Sequence, residues 1–164
     1  MATAGIASEE GVHAIRLSKV SAAAGVTKGA LFHHFVNREA LIAAMASYLM
    51  DHLDAEIDQL IEKDTQEYVV FTRAYIQATL NMESEFGKAF STLLLAEPSV
   101  VSISSDWFVG RMKKHVKTDS DPSLEVVRYA ADGAWLAAVT NYNPKMDLAK
   151  VRKRLIAMTE VKGD

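Results

Sequence analysis

The sequence predicts an all-α fold, and three observations lead to it. Apolar residues recur at steps of three and four over long stretches, the spacing of one helix face. The three prolines, Pro98, Pro122 and Pro144, each stand where such a pattern stops, as suits a residue without a backbone donor. No Asn-Gly or Asp-Gly joins two alternating runs, and Asp132-Gly133 lies inside a helical pattern instead.

With 164 residues, 49% of them apolar, the chain can bury a core. It has no cysteine, which removes disulfides, thiol nucleophiles and thiolate metal sites together. No apolar run approaches the roughly 18 residues of a membrane span, and MATAGIASEE lacks the basic and hydrophobic regions of a signal peptide. A cytoplasmic protein that does not enter membranes is expected. The net charge of −3 is unevenly spread: residues 1–47 hold Arg16, Lys19, Lys28 and Arg38 against Glu9, Glu10 and Glu39, and the rest of the chain is acidic.

The first informative element is a pair of short helices between Leu17 and Phe35. Leu17 and Val20 supply the buried side of the first helix, and Ser21 and Ala24 allow close approach. Gly25 permits the left-handed turn that ends it, and Val26 is expected to plug the angle between the helices. Thr27 can cap the second helix, whose Leu31 and Phe35 turn inward. Lys28, Gly29, Ala30, Phe32, His33 and His34 are left facing outward. A helix whose first turn offers backbone donors, a lysine and two very small residues can lie deep in a DNA major groove. Periodicity alone fits a plain three-helix bundle equally well.

Asn37 can cap a long helix carrying Leu41, Met45, Leu49, Leu53, Ile57 and Leu60 on one stripe. Further helices are expected over 66–82, 84–96, 98–117, 122–142 and 146–160, with 118–121 as the clearest loop. Helix 122–142 is apolar on too many sides for a helix with one solvent face, and the last helix carries Leu148, Val151 and Leu155 in one stripe. Paired with their copies, these two helices would form a four-helix interface with twofold symmetry; an ordinary intrachain core is the alternative. Ala130, Gly133, Ala134, Trp135, Ala137, Leu148, Val151 and Leu155 are its candidate residues. Tyr75, Met82, Phe86, Phe90, Trp107, Phe108 and Met112 are candidates for an apolar effector pocket, and would suit a plain core as well. His52 and His115 read as structural, and Arg111, Lys113, Lys114 and Lys117 as complementing the negative end of their helix.

The gapless run Ala23-Ala24-Gly25-Val26-Thr27-Lys28-Gly29-Ala30-Leu31-Phe32-His33-His34-Phe35-Val36-Asn37-Arg38-Glu39-Ala40-Leu41 resembles the TetR-family signature over its whole length. The likeness extends upstream to Gly11-Val12, and Ala130-Ala131-Asp132-Gly133-Ala134-Trp135-Leu136 is similar to the dimerising helix of many members; over 62–120 it lies only in helix count and length. The resemblance implies a three-helix helix-turn-helix domain, set at 1–45, joined to a helical ligand-binding and dimerisation domain, set at 46–164. It further implies a homodimer that represses at a palindromic double-stranded operator until a small apolar effector binds, with no cofactor and no metal. Carried over by residue, Thr27 and Lys28 meet phosphates or a base edge, Ala30 and His33 face the groove, and His34 lies near the backbone. Arg16, Gly29, Phe32 and Arg38 complete the candidate DNA-binding set. Phe32 stands where the family commonly has a tyrosine, which removes one phosphate hydrogen bond of about 1.5 to 3 kcal/mol. Ala30 replaces a frequent Ser or Thr but leaves room for a thymine methyl.

Ahead of Gly11 the family places a helix of about four turns, and ten residues form at most about 15 Å of helix. Gly5 interrupts this segment, Ile6 is its one sizeable anchor, and Ala7 stands where the family buries a phenylalanine. The resemblance therefore implies a marginal first helix, leaving Val20, Leu31, Phe35 and Leu41 partly uncovered, with a mobile head and weak DNA affinity. Two explanations stay open: a start lying upstream, or a dimeric ligand-sensing protein whose DNA binding is lost or weakened. An enzyme is not expected, since no HExxH, glycine-rich phosphate loop or nucleophile–base pair is visible.

Overall fold

A computed structural model of the chain describes residues 2–81 and 85–160. Ten α-helices and no strand occur among these residues: α1 (Ala2–Glu10), α2 (Leu17–Ala23), α3 (Lys28–His34), α4 (Arg38–Lys63), α5 (Val70–Thr79), α6 (Glu85–Ala96), α7 (Pro98–Lys114), α8 (Val116–Asp119), α9 (Pro122–Val139) and α10 (Leu148–Ala157). The fold divides into two compact units, Met1–His52 with Glu83–Trp107, and Leu53–Met82 with Phe108–Asp164.

The first unit is punctuated by residues that the backbone requires. Gly11 at φ 84° and Gly25 at φ 67° take left-handed conformations that a side chain would strain. Thr27 Oγ1 accepts from Ala30 N at 3.1 Å and caps α3, and Asn37 Oδ1 accepts from Ala40 N at 2.8 Å at the start of α4. Ile15, Ile42, Leu93 and Val100 are fully buried in its core, and burying a side chain of this size contributes about 1.5 to 3 kcal/mol.

α1 corrects the expectation of an uncovered head. It forms over Ala2–Glu10 and packs on α6, so Ile6 and Ala7 share one buried cluster with Ala89, Leu93, Val20, Leu31 and Leu41. Val20, Leu31 and Leu41 are covered, and Phe35 is half-buried against the same cluster. Alanines at 4 and 7 bring the helix close to its neighbour, which replaces the bulk of an aromatic anchor. Val26, the expected plug, is 45% exposed, whereas Val20 of α2 and Leu31 of α3 are buried in one cluster.

The second unit is built on α5, which packs on α8, α9 and α10. Phe71 and Ile76 of α5 are fully buried, and Ile76 and Leu80 join Val127, Ala131, Ala134 and Leu155 in one cluster. The expected helix 66–82 starts late, at Val70, because polar groups hold the chain ahead of it in another shape. Asp64 accepts from Gln66 N at 3.0 Å and from Arg73 Nε at 2.7 Å, and Arg73 Nη2 reaches the Tyr68 carbonyl at 2.6 Å. Val69 is left-handed at φ 62° and gives α5 no side-chain cap. Asp119, fully buried, supplies one from 47 residues away, its Oδ1 accepting from Thr72 N at 2.7 Å.

That service explains why 118–121 is not a simple loop. Residues 116–119 form the turn α8, which delivers Asp119, and only Ser120 and Asp121 separate it from α9. Asp121 caps α9 through Ser123 N at 2.8 Å, with Pro122 in the first turn. Arg111 departs from the expected role at a helix end. Its buried guanidinium donates to Asp54 and Asp58 of α4, at 2.6 Å in each case.

Candidate nucleic-acid interface and effector cavity

α3 is a capped two-turn helix that turns Leu31 inward and leaves Lys28, Gly29, Ala30, Phe32, His33 and His34 exposed together. Lys28 Nζ lies 5.5 Å from the centroid of the Phe32 ring, so the ring supports the cation from its own face. His33 and His34 meet edge to face with centroids 5.6 Å apart. A Cβ built at Gly29 would meet nothing within 4 Å, so the backbone there is open to a close neighbour. Arg16 is exposed at the start of α2. Arg38 does not join this set: its guanidinium donates to the carbonyls of Ile15 at 3.1 Å and Val12 at 3.0 Å, and to Glu97 at 2.9 Å.

The candidate effector residues fall in both units. In the first, Phe86 rests against the rings of His52, at 3.9 Å between centroids, and Tyr48, and Phe90 packs on the main core; Trp107 is half-buried. In the second, Tyr75 and Phe108 meet edge to face at 5.6 Å. Phe108 and Met112 also line a solvent-open cavity of about 470 Å³, bordered by residues of α7, α8 and the start of α9. Met82 lies outside the described residues.

Two polar pairs join α5 to α9. Arg128, a wall residue of the cavity, donates to Thr72 Oγ1 at 2.8 Å. The Tyr75 hydroxyl donates to Asp132 Oδ1 at 2.6 Å. Burial, with the Asp132 charge, pushes the Tyr75 hydroxyl far above its ordinary range, and burial raises Asp132 in turn. His115 stacks on Phe71 at 5.1 Å, and burial holds its imidazole below the usual value.

Of the candidate interface residues, Ala134 and Leu155 are buried in the intrachain core, with Trp135, Leu148 and Val151 packed against it. Ala130 and Gly133 are exposed, and a Cβ at Gly133 would meet open space. Ala137 is half-buried. Val126, Tyr129 and Leu136 extend the same face, with Val126 64% and Tyr129 62% exposed. Sequence reasoning passed over Tyr129, although its spacing with Val126, Ala130 and Gly133 is that of one helix stripe. It also passed over Arg128, which falls on the buried face of α9 with Leu124, Val127 and Ala131.

Comparison with known proteins agrees with this architecture. Residues 2–45 match the model of bacterial regulatory proteins of the tetR family, and residues 70–160 match the tetracyclin repressor-like C-terminal domain. The fold is similar to a TetR-family transcriptional regulator from Rhodococcus sp., at 14% identity and a TM-score of 0.74, over 96% of this chain and 93% of that one. It is also similar to SmeT in complex with triclosan, at 19% identity and TM-score 0.71, over 96% and 86% of the two chains. The multidrug binding protein EbrR complexed with imidazole aligns at 15% identity and TM-score 0.69, over 99% and 88%. No curated protein sequence matches. A helix-turn-helix head of this kind on an all-helical body defines a DNA-binding transcriptional regulator, not an enzyme. The chain belongs to the TetR family. No helix among the described residues is long and apolar enough to cross a membrane.

Proposed function

We propose that the protein is a ligand-responsive repressor that acts as a homodimer on a near-palindromic operator, with residues 1–45 as the DNA-binding domain and 46–164 as the sensing and dimerising domain. The exposed face of α3 carries this reading. Its capped first turn offers backbone donors, Lys28 and two side chains no larger than a methyl, which let the helix approach a groove floor. Thr27, Lys28, Gly29, Ala30, Phe32, His33 and His34 make the contacts, with Arg16 on the flanking backbone. Arg38 acts through the turn it holds rather than by touching DNA.

The exposed stripe of α9 supports dimerisation, since an apolar face of this kind is buried in a stable state. A twofold dimer would set two copies of α3 in successive major grooves, about 34 to 36 Å apart. The cavity in the second unit supports a small-molecule effector, as does the binding of triclosan and imidazole by SmeT and EbrR. Such an effector must favour one of two conformations to act. Footprinting on the DNA around the gene, followed by gel shifts at rising salt, tests the reading. The expected outcome is protection of an inverted repeat and an affinity that falls steeply with salt. Absence of any protected site would leave only a sensing protein.

A further inference from the structure

Arg128 is a buried charge without a direct ion pair among the described residues. It stands on the inner face of α9 at 5% exposure, among Leu124, Val127 and Ala131. Its Nη1 donates to the Thr72 hydroxyl and, at 3.3 Å, to the Asp119 carbonyl, both uncharged acceptors. Its Nε has no partner among the described residues. The neighbouring carboxylates are engaged elsewhere: Asp119 accepts from Thr72 N and the Thr118 hydroxyl, and Asp132 accepts from the Tyr75 hydroxyl. No described carboxylate forms an ion pair with Arg128. Asp119 and Asp132 balance the guanidinium only from beyond ion-pair distance, so it still gains when an anion is brought into direct contact.

The cavity of about 470 Å³ is the place where such an anion can arrive, because Arg128 forms part of its wall. Its other walls are largely apolar, with Phe108, Met112 and Tyr129 among them. Lys113, Asp121 and Glu125 also line it, but all three are exposed and water screens them. Asp121 is committed to Ser123 as the cap of α9, and Glu125 accepts from the Tyr129 hydroxyl at 2.7 Å. Among the charged residues that line it, Arg128 alone is buried, and its charge is positive.

We propose that this cavity binds an organic monoanion, a carboxylate on an aromatic or branched apolar body. The carboxylate pairs with the Arg128 guanidinium, and the body lies against Phe108 and Met112. The proposal rests on the effector-responsive reading above and gives that effector its chemical class. Arg128 is then the specificity-determining residue: apolar wall area is available to acids and neutral compounds alike, whereas the buried cation discriminates between them.

The test uses the full-length protein and two probes of one shape, 2-naphthoate and its neutral amide, 2-naphthamide. Titration calorimetry on the wild type is expected to give at least a tenfold preference for naphthoate, together with a rise in Tm that naphthamide does not match. Arg128→Met should abolish the preference and leave naphthamide binding in place. If that variant fails to fold, Arg128→Lys, which keeps the charge but loses the fork, should weaken naphthoate and leave naphthamide unchanged. Equal affinity for the two probes, or no binding of naphthoate, overturns the proposal. A neutral apolar compound that releases operator DNA while naphthoate does not bind would overturn the anion and leave the effector-responsive reading standing. Failure of every acid and neutral compound to change operator affinity would remove that reading as well.

Discussion

α3 and α9 each leave one face exposed, and the two faces are of opposite kinds. That of α3 is short and polar, with a lysine, two histidines and two side chains of minimal size around a single ring. That of α9 is long and apolar, running from Val126 through Tyr129, Ala130 and Gly133 to Leu136. A polar face loses little by standing in water and gains from a charged polymer, whereas an apolar stripe is stabilised only when another apolar surface covers it. On the function proposed above, the difference separates two partners, DNA for α3 and a second copy for α9.

Paired substitutions at Gly29 of α3 and Gly133 of α9 break this comparison most directly, because a Cβ at either position meets nothing within 4 Å and the monomer fold is spared. Gly133→Arg places an unpaired charge in the proposed dimer seam at a cost of about 3 to 5 kcal/mol, which raises the dimer dissociation constant by more than about a hundredfold. Light scattering should find a monomer with unchanged helicity. Gly29→Arg should do the reverse, keeping the dimer and losing the gel shift. A Gly133→Arg dimer at micromolar concentration would take α9 out of the interface.

A smaller effect sharpens the α3 side. Lys28→Ala should weaken operator binding by about 1 to 3 kcal/mol if Lys28 reads a base, or lower the salt slope by about 0.9 if it meets a phosphate. Unchanged affinity and slope would remove Lys28 from the site. Thr27→Ala deletes the α3 cap and should cost about 1 kcal/mol of stability, seen as a lower Tm.

The smallest effect lies at the junction of α7 and α8. Burial holds His115 below its ordinary 6.5, so as the pH falls below that value the unfolded chain binds a proton that the folded chain refuses. Stability is therefore lost as the pH falls from 6.5 toward the lower folded value, and His115→Gln should flatten denaturant midpoints over that window. A slope unchanged by the substitution would assign it to other groups.

Local chemistry was the legible part of the fold. Thr27 and Asn37 cap the helices they precede, Gly25 takes the left-handed turn, and α3 turns the expected side chains outward. Each of these depends on residues a few positions apart. Partnerships across long separations left no period to read. Arg111 reaches Asp54 across 57 positions, and Arg38 reaches Glu97 across 59, so one seemed a helix-end charge and the other a DNA contact. Alanine misled in the other direction: Ala7 looked too small to anchor α1, yet it is buried with Ala4, and small size is what lets the helix lie close to α6. Arg128 was readable, since it shares the period of Leu124, Val127 and Ala131, but a charge on an apolar stripe is easily counted as an interruption.

The remote cap of α5 has a consequence for the order in which the protein is made. Asp119 is translated 47 residues after Thr72, whose amide it holds; at about 5 to 20 residues per second that is a delay of about 2 to 9 seconds. During this interval α5 has only ten residues and an unfinished first turn, too little to persist as a helix in water. The second unit is thus completed backwards along the chain, with the late turn α8 closing a helix synthesised well before it. A nascent chain halted before residue 119 would carry the whole sequence of α5 and little of its structure.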